Sequence, residues 1–450
     1  MNYQILILTF LLVFTLGCAL RALLSPLAKG IRRFLAVPLS FLICYLLQYF
    51  GLFAALGVFV EGILEEQPLI GELLVASPYL TGLLEGTVSA VASAILFPIV
   101  FVLIYFVLRG VLKVIFDRLL LRLLDRPTSN RIITVARRTG ATMLGAVGGL
   151  LISAVLLMPV FYTFSFGSAL VNCARVPCDE EIPLREELIV IDEELVTPYE
   201  QSGAVHFYDA LGLCDLMCHT AELGGRTEID GKMLYAGDTI RNVLNHTPHI
   251  YVHMEAWTVS DEWMVEDFVA FSEDELIIGA IADIIKHEAA AFAAGEEGIF
   301  LHPETNDTTS AYILEVFAVT YANATHEEIV DDLRVVLRAG SHLAENNFFN
   351  DFAKNLVRAE DEEQAMAAVL IKNLRFVGVA MDALYVADPT HKLSDTLFSI
   401  LMQNEDVQQF ISTETIAALN REVEAGETTY ESFTIFLQNM LSLVVDQTTA

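Results

Sequence analysis

Positive charge is scarce in this chain. Its 450 residues hold 26 Lys and Arg against 58 Asp and Glu, a formal net charge of −32. That balance excludes nucleic-acid binding through a basic surface. The first 20 residues contain no Lys or Arg, so the opening apolar run lacks the basic leader of a cleaved signal peptide and reads as a retained span. The sequence has no Gly-x-Ser-x-Gly elbow, Walker loop, dinucleotide glycine fingerprint, EF-hand loop or His-Glu-x-x-His helix. No cofactor and no metal are expected.

Hydrophobicity is abundant instead: 54% of residues are hydrophobic, and the mean hydropathy is +0.52. It is concentrated in the first 166 residues, which hold 12 Lys/Arg and 7 Asp/Glu, a net of +5. The rest holds 14 Lys/Arg and 51 Asp/Glu, a net of −37. Crossing about 30 Å of hydrocarbon takes roughly 20 apolar residues. Four runs qualify, at about 3–22, 34–60, 87–108 and 141–166, and none has Asp, Glu, Lys or Arg in its interior. The expected fold is all-α: a four-helix transmembrane bundle, a Cys-containing linker over 167–190, and an acidic, mainly helical domain over 191–450.

Loop charge sets the orientation. The loop after the first run carries Arg21, Lys29, Arg32 and Arg33, and the segment after the third carries eight basic residues from Arg109 to Arg138. The loop between them carries five glutamates and no basic residue. Basic loops stay in the cytoplasm, so the acidic domain is expected outside.

Ala141, Gly145, Gly149 and Ser153 recur every four residues, with Gly148 beside them. They form a small-residue helix face that lets a neighbour approach closely, either within the chain or in a homo-oligomer. Arg118, Arg122 and Arg126 recur at the same spacing among leucines. They either lie in the headgroup layer facing anionic lipid or only enforce topology. The outer loop from Pro68 to Leu84 is unusually apolar, which suits a dip into the bilayer or packing on the acidic domain.

The order of features resembles the colicin V production protein family of bacterial membrane proteins. The resemblance rests on the basic turn Leu27-Ala28-Lys29-Gly30-Ile31-Arg32-Arg33-Phe34-Leu35, on Arg109-Gly110-Val111-Leu112-Lys113 after the third run, and on Arg137-Arg138-Thr139-Gly140 followed by Leu144-Gly145-Ala146-Val147-Gly148-Gly149-Leu150-Leu151. It covers about residues 1–165. The acidic residue common early in the family's first span is missing, with Gln4 near its place, and the acidic domain lies outside the family's common core. The resemblance implies a multi-pass protein of the bacterial inner membrane, linked to toxin production or export and to envelope maintenance. It supplies no catalytic residue.

Periodicity after residue 190 is mainly helical, over about 197–222, 262–293, 309–322, 325–338, 360–386, 391–403, 413–423 and 428–446. Two short β-prone stretches stand at Leu188 to Ile191 and His249 to His253. Cys173, Cys178, Cys214 and Cys218 form two pairs. In an external domain they read as disulfides, with free thiols and a four-thiolate zinc site as alternatives. Histidines neighbour carboxylates at His253/Glu255, His287/Glu288 and His302/Glu304, as chance allows among 51 acidic residues. The expectation is a non-catalytic membrane protein. Its partners are the bilayer, a second copy of the chain, and a cationic peptide or envelope protein. The rivals are a membrane-anchored hydrolase acting outside the cytoplasm and an oligomeric pore.

Overall fold

The computed structural model describes residues 3–25, 27–51, 68–119, 131–176, 178, 181–256, 260–296, 320–352, 379–380 and 383–393. These are mostly helical. The chain divides into two compact units: residues 1–176 with 183–245, and residues 177–182 with 246–450. Composition divides the chain near residue 166. Compactness instead joins 183–245 to the apolar half.

The first unit opens with α1 (Tyr3–Leu23), α2 (Leu27–Tyr49), α3 (Pro68–Ala76), α4 (Pro78–Leu119), α5 (Arg131–Leu156) and α6 (Met158–Leu170). Three helical stretches are long and apolar enough to cross a membrane: Leu27–Tyr49, Pro78–Ile115 and Ile132–Leu156. Ile7–Leu23 is a shorter apolar helix.

The boundaries differ from the sequence expectation for local reasons. α2 takes in Lys29, Arg32 and Arg33, which the charge pattern placed in a loop. Arg33 Nη1 donates to Ser25 Oγ at 3.1 Å, so part of the guanidinium is held without unwinding the helix. At its other end α2 stops at Tyr49, followed by Gly51 at φ +82°, the left-handed conformation that terminates helices. The run at 141–166 is cut at Leu157: α5 ends before it, and Pro159, which has no N–H to give, stands in the first turn of α6.

α4 has 42 residues, about 63 Å of helix and twice what a bilayer needs. Val91, Ile95, Ile99, Leu103, Val107, Val111 and Ile115 form an exposed stripe at four-residue spacing. The stripe is about 36 Å long, close to the hydrocarbon thickness. On α1, Leu8, Leu12, Leu16 and Leu20 form a second one.

The part of α4 before Val91 has a protein partner. After α6 come α7 (Pro183–Ile191), α8 (Thr197–Glu200), α9 (Gly203–Asp209) and α10 (Leu213–Glu222), then a hairpin of β1 (Arg226–Ile229) and β2 (Lys232–Tyr235). The hairpin pairs Ile229 with Lys232 across Asp230-Gly231, both at positive φ. A Cβ on Gly86 of α4 would stand 2.6 Å from the Gly225 carbonyl and from Ala236, so backbone meets backbone there. Tyr79 donates to Asp230 at 3.0 Å, and Gln48 of α2 donates to the Thr220 carbonyl. The apolar segment from Pro68 to Leu84 is therefore helical, and its second half packs on the hairpin. One core runs through the unit, from Phe97, Phe101 and Phe161 to Tyr208, Met217 and Ala221.

α11 (Ala236–Ala256) contributes its first half to this unit and its second half to the other. The second unit also holds α12 (Glu262–Glu273), α13 (Glu275–Ala294) and α14 (His326–Glu345). The expected helix over 262–293 is two, because Asp274 caps α13 by accepting from Leu276 N and Ile277 N at 3.2 and 3.1 Å. The expected helix over 197–222 is three, broken before Gly203 and at Gly212, which has φ +65°. The β-prone stretches at 188–191 and 249–253 are helical, and the strands lie at 226–235 instead. The helices expected at 413–423 and 428–446, and most of those at 309–322, 360–386 and 391–403, lie outside the described residues.

Candidate functional site

The small-residue face of α5 packs against α1 and α2 of the same chain. Ala141 is buried, and a Cβ on Gly30 would meet its Cβ at 3.2 Å. A Cβ on Gly145 would stand 2.5 Å from Ala22 Cβ and 2.6 Å from the Cys18 carbonyl, and one on Gly149 would strike the Phe14 carbonyl. Ser153 is buried and hydrogen-bonds Tyr208 of α9 at 2.6 Å. All four residues are thus occupied within the chain, and the face is not available to a second copy.

Cys214 and Cys218 stand one turn apart on α10 and are free thiols. Of the disulfide, free-thiol and zinc readings, the structure shows free thiols at these two positions. Cys173 is buried, with Sγ 4.0 Å from the Leu170 carbonyl, and Cys178 is half-buried. Burial, with Asp209 adding to it, pushes the Cys214 thiol up to about 12. Burial and then Glu222 push Cys218 up to about 11. Both thiols stay protonated at neutral pH, which argues against a nucleophile. Among the described residues no group of three or more His, Cys, Asp and Glu is placed to hold a metal.

The two thiols line a cavity of about 350 Å³ between α6, α8, α9 and α10. Its other polar groups include Glu200, His206, Asp209 and Asp215. Its apolar side includes Phe164 and Tyr199, stacked at 4.0 Å between ring centres. No Lys or Arg lines it. Glu200 accepts from Ser168 and from Arg175, each at 2.8 Å. Arg175 also holds Asp192 bidentately at 2.7 and 3.0 Å, and that hydrogen bonding draws the Asp192 carboxyl below its ordinary range. Asp209 and Asp215 are exposed and have no ion-pair partner among the described residues. The cavity thus combines an aromatic wall with two uncompensated carboxylates, a setting that attracts cations. No family model, curated protein or solved structure matches this chain.

His253 and His287, singled out in the sequence, belong to the second unit. His253 is 1% exposed, with Nε2 2.8 Å from Asp261, which is 0% exposed. Asp261 also accepts from Asn350 N at 3.2 Å, so the pair ties α11 to the segment after α14. Asp267, equally buried, takes His246 on one oxygen and His249 at 3.2 Å on the other. Among the described residues His253 is closed off from solvent. His287 is half-buried on α13, and His302 lies outside the described residues. Arg118 falls in the last turn of α4, while Arg122 and Arg126 lie outside the described residues.

Sequence reading passed over Asp209, Asp215, Phe164 and Tyr199, which no motif connects. It also missed the hairpin, although Asp230-Gly231 between Arg226–Ile229 and Lys232–Tyr235 is a strong two-residue turn signal.

Proposed function

We propose that this chain is a four-span protein of the bacterial inner membrane that works by binding a cationic peptide or protein segment outside the cytoplasm, without catalysis. The single observation that carries the reading is the acid-rimmed aromatic cavity beside Cys214 and Cys218. A lysine or arginine side chain entering it finds aromatic faces on one side and Asp209 and Asp215 on the other. Support for the membrane setting comes from the three spanning-length helices and the exposed apolar stripes. The short α1 completes the fourth span in this reading. The resemblance of residues 1–165 to the colicin V production family adds a role in toxin export or envelope maintenance. The rival pore loses support because the small-residue face is used inside the chain.

Binding of a fluorescent Lys/Arg-rich peptide to the full chain in nanodiscs tests the function. The expected result is saturable, salt-sensitive binding that weakens roughly tenfold in an Asp209→Asn, Asp215→Asn double variant, which loses about 1.4 kcal/mol. Equal binding by the double variant and the wild type sinks the reading. Glu193→Cys and Leu24→Cys, each in a chain whose six native cysteines are replaced, test the sidedness, since Leu24 is 87% exposed in the turn after α1. An impermeant maleimide on intact cells should reach the first and not the second.

A further inference from the structure

At the bundle end that carries the basic residues, α1, α2, α4 and α5 enclose a second cavity. It is about 60 Å³ in volume and includes Cys18, Arg21, Arg33, Tyr105 and Arg109 in its lining. Three arginines from three different helices converge on it, and no residue lining it is acidic. Among the described residues no carboxylate pairs with any of the three. Arg33 is steered inward: its Nη1 donates to Ser25 Oγ at 3.1 Å and approaches the Arg21 carbonyl at 3.4 Å. Its Nε is buried without a hydrogen-bond partner.

This arrangement is costly as it stands. Like charges grouped in a partly desolvated space repel, and a buried N–H without an acceptor forfeits its solvation. Arginines that serve only to hold topology extend their heads outward to water, whereas Arg33 and Arg109 are half-buried and, with Arg21, line a space between helices. An anion removes both penalties. Guanidinium forks match an oxyanion's oxygens bidentately, and Tyr105 adds a hydroxyl donor. A cavity needs about 10–15 Å³ per water-sized occupant, so about 60 Å³ suits the five heavy atoms of a phosphate group.

We infer that the cavity bounded by Arg21, Arg33 and Arg109 is a binding site for a phosphate-type oxyanion, supplied either by an anionic lipid headgroup or by a soluble phosphate. The site stands apart from the acid-rimmed cavity and does not depend on the peptide-binding reading. Only its lipid arm requires that the helices cross a membrane.

The test uses the full chain in nanodiscs and reads the melting temperature. Inorganic phosphate is titrated into phosphatidylcholine discs against chloride at equal ionic strength. In parallel, phosphatidylglycerol is introduced into the discs. A rise in melting temperature with phosphate alone identifies a soluble ligand, and a rise with phosphatidylglycerol alone identifies a lipid headgroup. Arg33→Gln and Arg109→Gln should each raise the midpoint concentration of the stabilising agent roughly tenfold, as loss of a charge-assisted hydrogen bond does. Arg138→Gln removes an exposed charge at the same end and should leave the midpoint unchanged. If the glutamine variants do not fold, Arg33→Lys and Arg109→Lys replace them. They keep the charge, lose the fork, and should still raise the midpoint. The proposal is overturned if neither agent stabilises the wild type. It is equally overturned if Arg138→Gln shifts the midpoint as much as the cavity variants do, or if the lysine variants leave it unchanged.

Discussion

At the scale of single residues, burial decides chemistry more than residue type does. Cys214 and Cys218 have the i, i+4 spacing of a designed pair, yet the packing around them holds both thiols protonated. Alkylation by iodoacetamide at pH 8 should therefore be at least a hundredfold slower at these two than at a model thiol, and should become normal on denaturation. Peptide mapping after timed alkylation would show this, and model-thiol rates in the folded protein would refute it. His253 makes the same point with the opposite sign. Burial lowers its pKa, with Asp261 opposing. The unfolded chain then takes up a proton near the ordinary value of about 6.5 before the folded one does. The second unit should be fully stabilised above that range and lose stability as pH falls from 7 to 5, by up to about 1.4 kcal/mol per pH unit. Denaturant midpoints against pH would measure the slope, and His253→Asn should flatten it by one proton's worth.

At the scale of elements, the four-residue repeat on α5 identifies a close-packing face, but only the structure names α1 and α2 as what it meets. The Cβ positions at Gly145 and Gly149 are taken by α1 backbone carbonyls, which cannot rotate away as a side chain could. Gly145→Leu should cost 3 kcal/mol or more, at or beyond the upper end of ordinary overpacking. A drop in melting temperature in detergent with loss of the monodisperse peak would report it. Gly110→Leu is the contrasting control, because a Cβ there meets nothing within 4 Å. Capping is more local. Thr325 and Glu328 form a reciprocal capping box at the start of α14, which four residues of sequence announce. Asp274 does equivalent work, but it stands within an unbroken helical periodicity that reads as one long helix.

At the scale of the whole molecule, composition and compactness disagree. The net charge changes sign near residue 166, yet residues 183–245 fold with the apolar half. The reason is the length of α4. About half of it exceeds the bilayer, and that part, with Gly86 and Ala90 on its face, is covered by residues 224–236. A chain ended at Val176 would expose this face and the buried aromatics around Phe97 and Phe161. It should aggregate or melt at least 10 °C lower than a chain ended at Asn245, by size exclusion and thermal unfolding in the same detergent. Equal behaviour of the two would show that the membrane helices form a unit by themselves.

Much of the architecture needs no tertiary information. Apolar runs, helical periods and turn residues act over a few residues, so the mostly helical character, the spanning-length helices and the capping of α14 are legible along the chain. Contacts between residues far apart are not. Phe164, Tyr199 and Asp209 have no pattern in common, and neither do Arg21, Arg33 and Arg109. Only packing brings each set around one cavity, because which helices become neighbours depends on the fit of whole faces and on the energy of burying them together. The sequence alone determined that this chain is apolar and helical in one part and acidic in the other. The tertiary structure decided that part of the acidic half completes the core of the apolar one, and where its uncompensated charges converge.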